Sequence, residues 1–388
     1  MAILSLLFLS LTMASFSLLA EVLPDNAVAV SESLHQPTEH NPDTKDLAID
    51  DIIHQYRQNH EFAGVALIAD GVNTLHAAAY GERIPNSEQM HTIDSEWRWA
   101  SVTKMLAGLV ALQEVEQGRL SLDEPISCWL PKAPAHVKSV TLRQLMNHTS
   151  GLANPDQTKL NEITDVYEWA TAAMPNFDYC YGPPLSAPGI RFDYNACDFI
   201  VLADVLEAVT GKGFADLINT RITTRYNLAS IRVVTHPDDD ASIVGTKAGK
   251  PIMNDLNLAN LSADAAVVGK PADLLKLTQL FMAGKIISDP RLRLEFSRGL
   301  PELGYVALSV WGYEAALSGC SATVKIIERQ GHLPGTKILT LQAPQLNRSI
   351  VLFSNRDETD WGWIWQQQGL SYELASEVFC READLPQN

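Results

Sequence analysis

The run Trp99-Ala100-Ser101-Val102-Thr103-Lys104 sets a hydroxyl and an amine three residues apart. On a helix that spacing puts both side chains on one face, one turn apart. A serine at the start of a helix lies where the macrodipole favours negative charge. An amine within reach can share its proton, which is what a serine needs to become a nucleophile. The same serine could simply cap the helix, so the pair alone does not decide the chemistry. Other chemistries leave no trace. The chain has no G-x-S-x-G elbow, no H-E-x-x-H, no G-x-G-x-x-G and no Walker loop. Nothing in it calls for a metal, a nucleotide or a flavin, and no cofactor is expected.

The elements that must position the pair follow from patterning. Residues 101–117 form the clearest helix: Met105, Leu106, Leu109, Val110, Leu112 and Val115 recur near helical spacing, and Gly118 ends it. Residues 48–58 predict another helix. The apolar runs 62–69 and 74–80, separated by Asp70-Gly71, predict an antiparallel hairpin. The stretch from about 121 to 290 reads as helix and loop, with helices at 142–147, 198–209 and 272–283. Strands are expected at 306–310, 324–328, 337–341 and 350–353, and a last helix at 372–380. A hairpin, then helices, then strands and a final helix predicts one domain of sheet and helix with a helical insertion.

The 388 residues carry 46 acidic and 29 basic side chains, a formal charge of −17. Charge that acidic argues against a nucleic-acid or anionic-membrane partner. Hydrophobic residues make up 46%, enough for a sizeable folded core. Residues 2–20 contain no charge and read as a signal peptide, or as an anchor if uncleaved. A membrane tether is expected only in that second case. Residues 21–46, with Pro24, Pro37 and Pro42, read as a polar linker, and the domain is expected over 47–383. The remainder is thereby expected to be periplasmic or secreted. Five cysteines, Cys128, Cys180, Cys197, Cys320 and Cys380, form no C-x-x-C; their pairing stays open, burial as small hydrophobes is as good a reading for most, and the odd count leaves at least one thiol.

Several stretches resemble the serine β-lactamase and penicillin-binding protein superfamily, in the branch of class C β-lactamases, D-amino-acid carboxypeptidases and related esterases. The Ser101–Lys104 run resembles its first motif. QEVEQGRLSLDEPISCWLP (113–131), TLRQLMNHTSGL (141–152), YNACDFIVLADVLEAVTGKGF (194–214) and AAVVGKPADLLKLTQLFMAGKII (265–287) resemble later stretches in order, so the likeness spans about 49–378. It implies an α+β fold, β-lactamase/transpeptidase-like: a mainly antiparallel sheet flanked by terminal helices with an inserted helical region.

The resemblance also implies site residues. The second motif, Tyr-x-Asn, falls on Tyr194-Asn195-Ala196. Tyr194 is the implied general base beside Lys104, but the amide that helps bind an acylamido group and stabilises the lysine is replaced by Ala196. Asn195, its neighbour, points elsewhere in an extended loop. The third motif, Lys/His-x-Gly, falls on Arg329-Gln330-Gly331, with Arg329 drawing anions at the site edge; an alternative register starts at His332 and reaches Gly335. Backbone N–H groups of Ser101 and His332 are the implied oxyanion hole. His148, in Asn147-His148-Thr149-Ser150-Gly151, invites a triad reading, yet the family uses that stretch structurally. Trp97, Trp99 and Trp311 are expected in core or pocket wall, and Tyr305 and Tyr313 near the cleft.

The expected activity is a secreted serine hydrolase that forms an acyl-enzyme on a small ester, amide or peptide. Esters come first because the acylamide-binding asparagine is missing. D-Amino-acid peptides or β-lactams are the alternative on the same site, and a non-catalytic peptidoglycan- or penicillin-binding scaffold the alternative of another class.

Overall fold

The computed structural model describes residues 47–381 apart from 60, 156–157, 162–165, 174–175, 242 and 253–255. The chain divides into two units, Met1–Thr44 and Lys45–Asn388. The expected signal segment and linker, 1–46, lie outside the described residues, and every described element belongs to the second unit.

Helix α1 (Leu47–Gln58) leads into the hairpin β1 (Gly64–Asp70) and β2 (Asn73–Tyr80). Strand β3 (Trp97–Arg98) precedes α2 (Val102–Glu116). The helical middle contributes α3 (Leu142–Met146), α4 (Ala196–Thr210), a short β4 (Arg232–Val233), α5 (Ser262–Ala265), β5 (Val267–Gly269) and α6 (Pro271–Met282). Four strands follow, β6 (Trp311–Ala315), β7 (Val324–Leu333), β8 (Thr336–Ala343) and β9 (Arg348–Ser354), and then α7 (Leu370–Phe379). The main sheet is antiparallel in the order β6-β7-β8-β9-β1-β2, so the first hairpin pairs with the last strand.

The continuous apolar runs of β1 and β9 have a simple cause: both sheet faces are covered. Val65 and Leu67 join the core around α2, while Ala66 and Ile68 join the core under α1 and α7. Val351 and Phe353 alternate with Ile350 and Leu352 in the same way. Helix α2 lies between the sheet and the helical region, and every residue from Val102 to Glu114 is buried. Its buried Glu114 is held by Arg119 and, at 2.9 Å, by Arg221.

Residues 306–310 are not the strand their apolar run predicts. Val306, Ala307, Leu308 and Val310 are buried, but Ser309 has φ +72° and breaks the extended path. Its N–H donates to Met146 O at 2.7 Å, and a Cβ on Gly108 of α2 would stand 2.3 Å from Ser309 Oγ. The segment is a bend wedged against α2, and burial alone accounts for its composition. The strand read at 324–328 in turn runs on to Leu333. Four of the cysteines are paired rather than simply buried: Cys180 with Cys197 and Cys320 with Cys380, while Cys128 is free and exposed.

Candidate active site

Ser101 sits at the mouth of α2, on a turn fixed from both sides. Trp99 N–H donates to Val267 O of β5 (2.8 Å), Val102 N–H to Trp99 O (3.0 Å) and Thr103 N–H to Ala100 O (2.9 Å). Ala100 has φ +48°, a conformation non-glycine residues seldom adopt and one that collects at functional turns. The Ser101 hydroxyl makes no capping bond to the helix. It accepts instead from Lys104 Nζ at 3.2 Å. The simple N-cap reading therefore fails, and the Ser101 amide donates to no other group among the described residues.

Lys104 is buried, and an unpaired ammonium there would be costly. Its Nζ also donates to Asp264 O at 3.2 Å and forms an ion pair with Asp264 Oδ1. Sequence reasoning missed Asp264. The available signal was one acid within the otherwise small and apolar run 263–269, since an acid in such a run needs a partner.

Tyr194 lies on the other side of Lys104, whose Nζ stands 5.0 Å from its ring centroid. Arg329 Nη2 donates to Tyr194 Oη at 2.8 Å. Burial by itself would raise the phenol's pKa, but the Arg329 and Lys104 charges, with a hydrogen bond to Ser101, outweigh burial and Asp264 and hold it below the ordinary value. Arg329 is not at the site edge, where the resemblance had it drawing anions. It is buried, with Nε on Ser101 O (2.8 Å), Nη1 on Ser309 O (3.3 Å) and its guanidinium 5.3 Å from the Trp311 ring centroid. The planar fork thus joins nucleophile turn, wedge and phenol, which a lysine cannot do.

The strand carrying Arg329 explains Gly331. A Cβ there would stand 2.6 Å from Trp99 O, so β7 can lie against the nucleophile turn only with glycine. Strand β6 ends its pairing with β7 at Trp311–Glu328, leaving 329–333 with a free edge on that side. Arg329 O faces β8, where it accepts from Thr340 Oγ1 (3.4 Å), so the alternate amides of Gln330 and His332 face the free edge. The His332 side chain does not join the site; its Nε2 lies 3.0 Å from Asp357. Gln330 turns to the other face and donates to Glu328 Oε1 at 2.7 Å. Tyr313 is buried and bonds Glu328, while Tyr305 is exposed.

Behind Tyr194 lies a second polar cluster. His148 packs against it with the rings tilted by 40° and their centroids 4.4 Å apart, its Nδ1 2.9 Å from Asp198 Oδ2 and accepting from Asn195 N–H at 3.1 Å. Ser150 Oγ donates to the other Asp198 oxygen. Burial drives Asp198 well above the ordinary carboxyl value, and burial with the Lys104 and Arg329 charges drives His148 well below its own. A protonated Asp198 then donates to a neutral imidazole, which fits the backbone N–H on the same Nδ1. Asn195 is fully used: Oδ1 caps α4 by accepting from Cys197 N–H (2.8 Å), and Nδ2 donates to Leu152 O and Ala153 O, both at 3.1 Å. It does not replace the amide missing at Ala196.

Trp97 and Trp99 are core, whereas Trp311 is half-buried and stacks 6.2 Å from Tyr194 as a wall. A cleft of about 210 Å³ lies along Gln330–His332, Lys337 and 359–363; it shares the β7 segment but none of Ser101, Lys104 or Tyr194. Among the described residues no cluster could hold a metal ion, and no helix is long and apolar enough to cross a membrane.

A hydroxyl, an ammonium, a phenol and a guanidinium converging at a helix mouth beside a free strand edge are the parts of a serine hydrolase on this α+β scaffold. The chain belongs to the Beta-lactamase family, whose model matches residues 49–363. It is 26% identical over 268 residues to the D-alanyl-D-alanine-carboxypeptidase/endopeptidase AmpH of Escherichia coli K12, covering 66% of this chain and 68% of that protein. It is 29% identical over 205 residues to esterase EstB of Burkholderia gladioli, covering 48% and 51%. The D-amino acid amidase of Ochrobactrum anthropi SV3, crystallised with L-phenylalanine, shares the fold at TM-score 0.70 and 17% identity, over 88% of this chain and all of that one.

Proposed function

We propose that this serine hydrolase forms an acyl-enzyme at Ser101 and that small esters are its preferred substrates. The observation that carries the reading is the Ser101 hydroxyl within 3.2 Å of the Lys104 amine, with the Tyr194 phenol held at 2.8 Å by Arg329 on the other side. Ser101 attacks the carbonyl while Lys104 and Tyr194 take and return protons. The backbone N–H groups of Ser101 and His332 receive the oxyanion, one from a helix mouth and the other from a free strand edge. Arg329 acts on Tyr194 rather than on substrate, and Gly331 lets substrate approach the strand. Ester preference rests on Ala196 and on the prior use of Asn195, which leave the second motif without a free side-chain amide for an acylamido group. A site that hydrogen-bonds a substrate amide discriminates strongly, and this motif lacks that group. Action outside the cytoplasm, periplasmic or secreted, is supported by the two disulfides.

A second reading, hydrolysis of D-amino-acid peptides, is favoured by the match to a carboxypeptidase of similar length. Intact-protein mass spectrometry with a p-nitrophenyl ester and with a penicillin, beside Ser101→Ala, tests both. A Ser101-dependent acyl adduct or ester turnover supports the proposal. Activity retained by Ser101→Ala removes it. Faster acylation by penicillin than by the ester transfers the assignment to the second reading. Ala196→Asn should raise penicillin acylation, and a flat response would show that this position does not set specificity.

A further inference from the structure

We propose that Asp264 is the positioning residue that divides the labour between Lys104 and Tyr194: its carboxylate holds Lys104 as an ammonium, so the phenol oxygen is the one that receives the Ser101 proton. The inference rests on the acyl-enzyme reading and goes one step further, since that reading leaves the two groups interchangeable.

The geometry around Lys104 Nζ is the argument. An ammonium has three hydrogens and no lone pair. Nζ has three oxygen partners: Asp264 Oδ1 in an ion pair, Asp264 O at 3.2 Å and Ser101 Oγ at 3.2 Å. Three acceptors use three N–H bonds. Lys104 then gives a hydrogen bond to Ser101 and has nothing with which to take its proton. Tyr194 Oη accepts from Arg329 Nη2 at 2.8 Å, and Ser101 is among the groups that hold the phenol below its ordinary value.

Charge balance points the same way. Lys104 and Arg329 are two cations, each 1% exposed, and Asp264 supplies one negative charge against them. Buried charge left unbalanced is costly, and a phenolate at Tyr194 completes the pairing. The groups facing this centre are Ser101 at the mouth of α2, Lys104 from α2, Arg329 from β7, Asp264 from α5, and His148 and Asp198 from behind. The last two are a neutral pair, the acid raised and the imidazole lowered by burial, so they leave the balance unchanged.

The step balances. Ser101 Oγ bonds to the carbonyl carbon as its proton passes to the Tyr194 oxygen. Collapse breaks the bond to the leaving group, and Tyr194 returns the proton to that group. Water repeats both transfers and releases the acid. Asp264 exchanges no proton.

The test is kcat/KM for p-nitrophenyl acetate and its pH dependence with the full chain, compared between wild type and Tyr194→Phe, with and without Asp264→Asn. Removing the carboxylate takes away the counter-ion of the ammonium, which frees Lys104 to give up a proton and accept one from Ser101. In Asp264→Asn, adding Tyr194→Phe should therefore cost at least about tenfold less turnover than it costs in wild type, because the amine takes over the phenol's task. Asp264→Glu should leave the Tyr194→Phe loss in place. A Tyr194→Phe loss that is the same in Asp264→Asn as in wild type would overturn the proposal and make Asp264 a scaffold residue. A neutral Lys104 amine by nitrogen NMR of the wild type below the acid limb of that profile would overturn it too, and needs no folded variant. Absence of any Ser101-dependent turnover would sink the acyl-enzyme reading instead, while nitrogen NMR of Lys104 would still decide the role of Asp264.

Discussion

Two polar clusters lie back to back across the Tyr194 ring, and both are buried. The front one holds Lys104, Arg329, Asp264 and the phenol; the rear one holds His148, Asp198, Ser150 and Asn195. They differ in how burial is resolved. In the rear cluster both titratable groups yield to it, Asp198 rising and His148 falling, so the pair keeps its hydrogen bonds and loses its charges. In the front cluster Arg329 cannot yield, because a guanidinium does not deprotonate in a protein. The phenol beside it is pulled toward the anion, against its own burial. The lesson is that burial depth does not decide whether a polar group is reactive or structural. A fixed charge that cannot be titrated away decides it.

That contrast breaks most visibly at Tyr194. Tyr194→Phe keeps the ring packed on Trp311 and His148 and removes only the oxygen. Ester hydrolysis should fall by about 10²–10⁴-fold, and the loss of the oxygen that accepts from Arg329 should cost about 1–3 kcal/mol of stability. Undiminished turnover would mean that the phenol is packing and that the two clusters are alike. Arg329→Met comes next. Without the guanidinium the phenol holds its proton more tightly, so the acid limb of kcat/KM should move to higher pH by about one unit or more. Arg329→Lys separates charge from shape: the limb should stay nearer its original place while the rate drops, because a single nitrogen cannot span Ser101 O, Ser309 O and Tyr194 Oη, which three separate guanidinium nitrogens reach.

The rear cluster answers differently. Asp198→Asn reproduces a protonated carboxyl, with an N–H for His148 Nδ1 and an oxygen for Ser150, and it no longer has to be neutralised on folding. At pH 7 it should be at least as stable as wild type and leave the acid limb of hydrolysis unmoved. Asp198→Ala leaves both partners unpaired and should cost about 1–3 kcal/mol. A large loss in Asp198→Asn, read by urea unfolding, would show that the rear pair is charged after all.

What could be read in the sequence divides along similar lines. The helix at 102–116, the hairpin and the last helix were legible because apolar periodicity and glycine stops report burial on one face or two. Ser101, Lys104 and Tyr194 could be singled out through motifs, and the structure brings the three together. Residues 306–310 were misread because a buried bend and a buried strand have the same composition, and what tells them apart is Ser309 meeting Gly108, far earlier in the chain. Arg329 was found by motif but misplaced, since no local pattern says that three acceptors from distant segments await it. Asp264 was missed for the related reason that its partner lies 160 positions earlier in the chain. The disulfides were open because pairing is a fact of three dimensions.

The pH dependence of stability makes the smallest and most discriminating comparison. His148 is depressed on folding, so the unfolded chain takes up its proton near 6.5 while the native chain does not; that contribution is present above 6.5 and is lost as pH falls. Asp198 is raised on folding, so its contribution is present below 3.8 and is lost as pH rises through its native value. Between 3.8 and 6.5 the two slopes have opposite sign, and they offset each other wherever the native carboxyl still holds its proton and the native imidazole has not gained one. His91 has no such partner: burial lowers it to about 4 where it stacks on Trp97, so it should cost up to about 3 kcal/mol of stability as pH falls from 6.5 to 4. Urea midpoints from pH 7 to pH 4 should therefore show an acid arm that His91→Phe flattens. Asp198→Asn should steepen it, by about 1.4 kcal/mol per pH unit, because the His148 slope is then no longer cancelled. An arm unchanged by Asp198→Asn would mean that His148 and Asp198 do not share a proton, and the contrast between the neutral rear cluster and the charged front one would fall with it.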